Sequence, residues 1–265
     1  MTGVYKQKLS AASFVRKSRL IVGLDFTVAF AGLSEAEREK ERSRVEQKAI
    51  QTIRETSDYT VAYKFNRQLV LPLGLFDSIS RIIDVIHDTG LTAIMDCKIN
   101  DVGHTNTQIA QYYFDAGFDA LIANPFVGWE GGLDSVFKLA ENRNRGVILL
   151  CYMSHPAADE GYGLSIQLDK KGKHPSPMYE IFAQRALKWG ADGVIVGATF
   201  PDRIKEIRKL LRDDIPIISP GIGAQGGSAR DAIQSGSSYV IAARSIVDSP
   251  NPSTVAKELA AETHA

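Results

Sequence analysis

The chain has 265 residues, with 31 basic and 31 acidic side chains and two cysteines, so its formal net charge is zero. That balance excludes the electrostatic footprint of a nucleic-acid or anionic-membrane binder, and two cysteines at the ends of separate apolar runs exclude a disulfide framework. No run approaches the roughly 20 apolar residues a membrane helix needs, and the N-terminal segment lacks the apolar core of a signal peptide, so the chain reads as soluble and cytoplasmic.

After an N-terminal segment of helical character (about 1–19), Leu20-Ile21-Val22-Gly23-Leu24-Asp25 reads as a first strand ending in an acid. Ser34 and Glu37 form a capping box, which opens a helix carrying Val45, Ala49 and Ile53 on one face. A second strand over 59–65 contains Lys64. A helix with Ile79, Ile82, Ile83 and Ile86 follows and stops at Gly90. The third strand, 91–96, runs into Asp96-Cys97-Lys98-Ile99-Asn100-Asp101. The alternation continues with helix 106–116, strand 119–123, helix 133–140 and strand 146–151. An irregular stretch over 155–177 comes next, rich in Gly, Pro, Asp and Lys; loops that long in a compact domain are functional or mobile. A helix with Ile181, Phe182 and Leu187 stops at Gly190 and leads to strand 193–196, helix 201–211 and strand 215–219. A short helix over 228–235, strand 239–242 and a closing helix around Val255 and Leu259 complete the chain.

Eight strands, each followed by a helical pattern and with no linker between them, predict one domain over 1–265. Its fold class is α/β, a single (β/α)8 TIM barrel rather than a doubly wound sheet. In such barrels catalytic groups lie where strands end and βα loops begin. Asp25, Lys64, Asp96, Lys98, Ser154, Gln225 and Arg244 all fall in that layer. Alternate residues of a strand share a face, so Asp96 and Lys98 project together, with Asp101 just beyond. Taken alone, the spacing also describes a strand-end salt bridge. Several such groups around one rim describe a site where Lys98 gives or takes a proton and carboxylates set its charge.

The block Pro220-Gly221-Ile222-Gly223-Ala224-Gln225-Gly226-Gly227 points to phosphate. Glycines let backbone N–H groups approach an anion, the helix starting near Ser228 turns its positive end there, and Arg244 adds a fork of charged donors. Gly221, Gly223 and Gly226 also spell the dinucleotide fingerprint. The next strand, however, ends in Ala242-Ala243-Arg244, without the acid that holds an adenosine ribose. A glycine hinge is a further reading, compatible with a phosphate clamp. His87, His104, His155, His174 and His264 are scattered without ligand spacing. Asp25, Asp96 and Asp101 could hold Mg²⁺, but Lys64 and Lys98 in the same mouth would repel it, so the site reads as metal-free. Ser154 and His155 are neighbours, which rarely form the hydrogen bond of a catalytic triad.

On these residues the chain resembles the orotidine 5′-phosphate decarboxylase family. The Asp96-x-Lys98-x-x-Asp101 motif is shared with a wider suprafamily that includes 3-hexulose-6-phosphate synthase and keto-gulonate-phosphate decarboxylase. Leu24-Asp25, Lys64, Thr105, Met153-Ser154-His155-Pro156, Val196-Gly197-Ala198-Thr199, the block 219–227 and Arg244-Ser245-Ile246 narrow the resemblance. Lys64 discriminates best, because the metal-dependent synthases carry an acidic residue at that strand-two position.

The resemblance implies cofactor-independent decarboxylation of orotidine 5′-monophosphate to uridine 5′-monophosphate, in de novo pyrimidine biosynthesis. Lys98 would protonate C6, Asp96 would sit against the departing carboxylate, and Lys64 and Asp101 would complete an alternating Lys-Asp-Lys-Asp array. Asp25 would bind ribose hydroxyls and Ser154 the pyrimidine edge. Gln225 and Arg244 would grip the phosphate, with Pro220, Gly223, Gly226 and Ala243 around it. Asp101 and Thr105 would come from the partner subunit of a homodimer. There are two departures: Ala243 stands where the family more often has glycine, and the 155–177 loop is longer than in compact members. Two alternatives stay open: a Mg²⁺-dependent sugar-phosphate aldolase or decarboxylase on the same frame, and a non-catalytic nucleotide-phosphate binding protein.

Overall fold

Eight parallel strands close on themselves: β1 (Leu20–Leu24), β2 (Ala62–Asn66), β3 (Thr92–Ile99), β4 (Ala120–Ala123), β5 (Gly146–Tyr152), β6 (Gly193–Val196), β7 (Ile217–Ile222) and β8 (Tyr239–Ala242). The computed structural model describes residues 3–167 and 175–264. β8 pairs with β1, so the barrel has no open edge, and the predicted (β/α)8 architecture is the one found.

The two-residue period of the strands sorts the side chains. Ile21, Ile94, Ile122, Ile148, Ile195, Ile218 and Ile241 form one buried cluster inside the barrel. Leu20, Val22, Leu24, Tyr63, Phe65, Ala93 and Met95 belong to a second cluster between sheet and helices. Asp25, Lys64 and Asp96 follow the inward positions Ile21, Ala62 and Ile94 in steps of two. The polar groups therefore crown an apolar plug. The predicted capping box forms, Glu37 N–H donating to Ser34 Oγ (3.4 Å) and Ser34 N–H to Glu37 Oε2 (2.8 Å), and Val45, Ala49 and Ile53 are buried.

The opposite end of the barrel is shut by the helix Val4–Arg16, whose Tyr5 and Leu9 are fully buried in the inner cluster. Gly146 makes room for Tyr5, since a Cβ there would lie 2.6 Å from Tyr5 Cγ. Asp119, buried where β4 begins, ties this end together. It accepts hydrogen bonds from Ala93 N–H (3.0 Å), Lys8 Nζ (3.2 Å) and Arg145 (2.6 Å), and lies 2.9 Å from His87 Nε2. Burial disfavours its charge, but the bonds from His87 and Ala93 and the charge of Arg145 win, holding its carboxyl below the ordinary carboxylate value. No helix among the described residues is long and apolar enough to cross a membrane.

Several elements differ from their predicted bounds. β3 does not end at Asp96 but continues to Ile99. Its ladder with β4 jumps from Met95↔Leu121 to Ile99↔Ala123, so Asp96, Cys97 and Lys98 face Ile122 alone. Such a bulge re-aims side chains, and here Lys98 takes φ +47°, a left-handed conformation costly for a residue with a Cβ. The helix predicted around Ile79–Ile86 is preceded by one that was not foreseen, Arg67–Leu73 with Pro72 inside it, which the chain leaves at a kink over Gly74–Ile79 before Ser80–Asp88. β7 runs on through Pro220 and Gly221 to Ile222. The stretch 155–177 carries helical turns at Pro156–Ala158 and Asp159–Tyr162, and Ser165–Ile166 pairs antiparallel with Ser176–Pro177. Residues 168–174, His174 among them, lie outside the described residues.

Candidate active site

A cavity of about 350 Å³ opens at the C-terminal ends of the strands. Ile122, Leu150, Ile195 and Ile241 floor it. One wall is a charged chain. Lys98 Nζ donates to Asp96 Oδ1 at 2.7 Å, and Lys64 Nζ donates to Asp96 Oδ2 at 3.5 Å. Lys64 Nζ also lies 3.7 Å from Asp25 Oδ1 and donates to Asn66 Oδ1, while Asn66 Nδ2 donates to Asp25 Oδ1. Lys64 is buried and held on three sides; Lys98 keeps about a third of its side chain exposed, at 31%. An ammonium thus occupies the space between the two carboxylates where a bound cation would otherwise sit.

The facing wall is built from loops. Ser154 follows β5; Pro220 and Gln225 belong to the glycine block at the end of β7; Ala243 and Arg244 follow β8. Gly223 and Gly226 do not line the cavity but turn the block, with φ of +71° and +89°, and Gly226 N–H donates to Gly223 C=O at 2.7 Å. Arg67, Arg244 and the two lysines outnumber Asp25 and Asp96, leaving the mouth net positive and suited to an anionic ligand.

Asp101 and Thr105 stand apart. Asp101 is exposed and turned back on its own chain, its Oδ1 accepting from Val102 N–H at 2.7 Å and its N–H donating to Asn106 Oδ1 at 2.9 Å. It lines a separate shallow groove with Val102, Phe126 and Gly131. Thr105 lies in the first turn of the helix Gly103–Asp115. Within a single chain the charged wall thus runs Asp25-Lys64-Asp96-Lys98, without Asp101.

Asn66, Arg67 and Gln68 line the cavity and were not foreseen. The signal for Asn66 was present: it stands two residues after Lys64 on the same inward face. Cys97, between the two motif residues, points away; its Sγ lies 3.5 Å from Ile122 C=O and burial pushes its thiol up to about 12. It is not a nucleophile for this site. Among the described residues no group of three or more His, Cys, Asp or Glu side chains is arranged to hold a metal ion.

The profile of the "Orotidine 5'-phosphate decarboxylase / HUMPS family" matches residues 18–259. The chain belongs to this family. The orotidine 5'-phosphate decarboxylase of Pyrococcus abyssi is 38% identical over 81% of this chain and 92% of its own length. A solved orotidine 5'-monophosphate decarboxylase from Methanocaldococcus jannaschii, complexed with the inhibitor BMP, superposes with a TM-score of 0.74 at 27% identity, covering 94% of this chain and 99% of that one. The UMP synthase of Leishmania donovani gives 0.80 at 25% identity over 97% of this chain; the chain spans only 55% of that longer protein. Membership in this family accounts for the (β/α)8 frame.

Proposed function

We propose that the chain decarboxylates orotidine 5′-monophosphate to uridine 5′-monophosphate in pyrimidine biosynthesis, the activity for which its relatives are named. One observation carries the reading: Asp96 is shared by two ammonium groups, one on each carboxylate oxygen, inside the mouth of the barrel. The C6–carboxylate bond breaks heterolytically, CO2 leaves, and the electron pair stays on C6. Lys98 stabilises that carbanion and gives it a proton from Nζ, which solvent then restores. Asp96, lying against the substrate carboxylate, repels it in the ground state and is relieved as CO2 departs. Lys64 keeps Asp96 charged and oriented.

The remaining roles follow the shape of the mouth. Asp25 takes ribose hydroxyls, Ser154 the pyrimidine edge, and Gln225 and Arg244 the phosphate, with Pro220 and Ala243 beside it and the block turned by Gly223 and Gly226 closing over it. Binding energy from the remote phosphate then assembles the reacting centre. Asp101 and Thr105 enter from the partner subunit of a homodimer. Asp101 sits beside exposed Val102 and Phe126 on a surface suited to such a contact. The enzyme is read as cytoplasmic and as needing no cofactor. A Mg²⁺-dependent sugar-phosphate reaction on the same frame is disfavoured by Lys64, whose ammonium stands beside the carboxylates a metal would need.

Turnover in D2O with excess chelator tests the reading. One deuterium at C6 of each uridine monophosphate formed is expected. Absence of product, with sugar-phosphate turnover appearing on addition of Mg²⁺, would replace the proposal by the alternative.

A further inference from the structure

The turn that follows β6, Gly197-Ala198-Thr199, contributes no side chain to the cavity, yet it touches both loops that face the charged wall. Toward the β5 loop, Gly197 N–H donates to Tyr152 C=O at 2.9 Å and Thr199 Oγ1 donates to Ser154 C=O at 2.9 Å. Gly197 packs so closely there that a Cβ on it would lie 2.6 Å from Ser154 Cα and 2.9 Å from Met153 C=O. Toward the glycine block, Ala198 N–H donates to Pro220 C=O at 2.8 Å, and Ala198 Cβ lies 3.0 Å from where a Cβ on Gly227 would stand. Thr199 is wedged between the two: a Cβ placed on Gly221 would meet Ser154 Cβ at 3.3 Å and Thr199 Cγ2 at 3.7 Å.

Among the described residues, the Thr199 hydroxyl is the one hydrogen-bond donor to the Ser154 carbonyl. Ser154 itself lies in an irregular segment between β5 and the helical turn Pro156–Ala158, so no strand ladder or helix fixes its backbone. We propose that Thr199 is a positioning residue for Ser154. Its hydroxyl holds the Ser154 backbone so that the serine side chain meets substrate at the distance set by the glycine block opposite. The proposal rests on the reading that Ser154 contacts the pyrimidine. Thr199 touches no substrate and acts only through Ser154.

The test compares kcat and KM for decarboxylation by the native enzyme, T199V, T199S, S154A and the double variant S154A/T199V. T199V keeps the branched shape and removes the donor. It is expected to lower kcat/KM about tenfold, the cost of one hydrogen bond to a backbone carbonyl, and in the same parameter, kcat or KM, that S154A changes. T199S restores the donor and should stay within about threefold of native. The double variant should match S154A within about twofold, because Thr199 has nothing left to position. T199C, with a weaker donor of similar size, should fall between native and T199V, and it serves where T199V does not fold.

Native kcat/KM in T199V beside an impaired S154A overturns the proposal, as do additive losses in the double variant or a T199C indistinguishable from T199S. Unimpaired S154A in an enzyme that decarboxylates removes the reading of Ser154, and Thr199 with it. Absence of decarboxylation in the native protein is a separate result, which removes the activity itself.

Discussion

Lys98 Nζ lies 2.7 Å from Asp96 Oδ1, and it reaches that carboxylate from a backbone with φ of +47°. The bulge that sets Asp96, Cys97 and Lys98 against Ile122 alone allows this conformation. Backbone strain and side-chain chemistry therefore meet at one residue, where strain holds a reacting group in place.

That coincidence separates the chemical from the conformational role of Lys98. Both Lys98→Ala and Lys98→Gly should lose at least about a thousandfold in turnover while keeping native circular dichroism. Glycine relieves a left-handed penalty of roughly 1–2 kcal/mol, offset by about 0.5–1 kcal/mol of unfolded-state entropy. Lys98→Gly should thus melt no lower than Lys98→Ala. A clearly lower melting point for the glycine variant would show that the backbone carries no strain there.

Asp101 supplies a test of subunit sharing. On the proposed homodimer, Asp96→Asn and Asp101→Asn should each be nearly inactive alone, and mixing them should recover part of the activity through sites built from two intact halves. If mixed dimers form and activity stays absent, Asp101 does not act across the interface.

Much of this site was legible in the sequence because it depends on local period. Alternation along β2 and β3 puts Lys64 and Asp96 inward, and a capping box or a glycine stop needs only neighbouring residues. What escaped depends on pairing between distant segments. The bulge at Lys98 exists only relative to β4, and the outward setting of Asp101 follows from its turn against Asn106. Arg67–Leu73 escaped because it is short and holds Pro72, a residue unfavourable inside a helix. Asn66 went unnoticed because an amide carries no charge to flag it. Its role emerges only when Asp25 and Lys64 are brought to either side.

Asp119 concerns stability rather than chemistry. Asp119→Asn should cost about 3 kcal/mol at pH 7, the scale of breaking a buried ion pair, with kcat/KM nearly unchanged. The native carboxyl is held below its unfolded value, so its contribution is complete above about pH 4 and is lost as pH falls through the lower folded value. Denaturant midpoints of the two proteins should therefore converge below about pH 4. A constant gap down to pH 2 would contradict the assignment.

Cys97 gives a check on burial behind the site. With its thiol pushed up to about 12, it should resist alkylation in the folded protein at pH 8 and react fully once denatured. Rapid labelling of the native enzyme at Cys97 would mean that β3 opens far more readily than its packing implies.

The most direct measurement is the ultraviolet absorbance of orotidine 5′-monophosphate after addition of the protein, with chelator present and Lys98→Ala alongside. Rapid loss of the orotate band with the native protein, and none with the variant, is the predicted result. An unchanged band with the native protein, or equal loss with both, would contradict the assignment of Lys98 as the proton donor of a metal-independent decarboxylase.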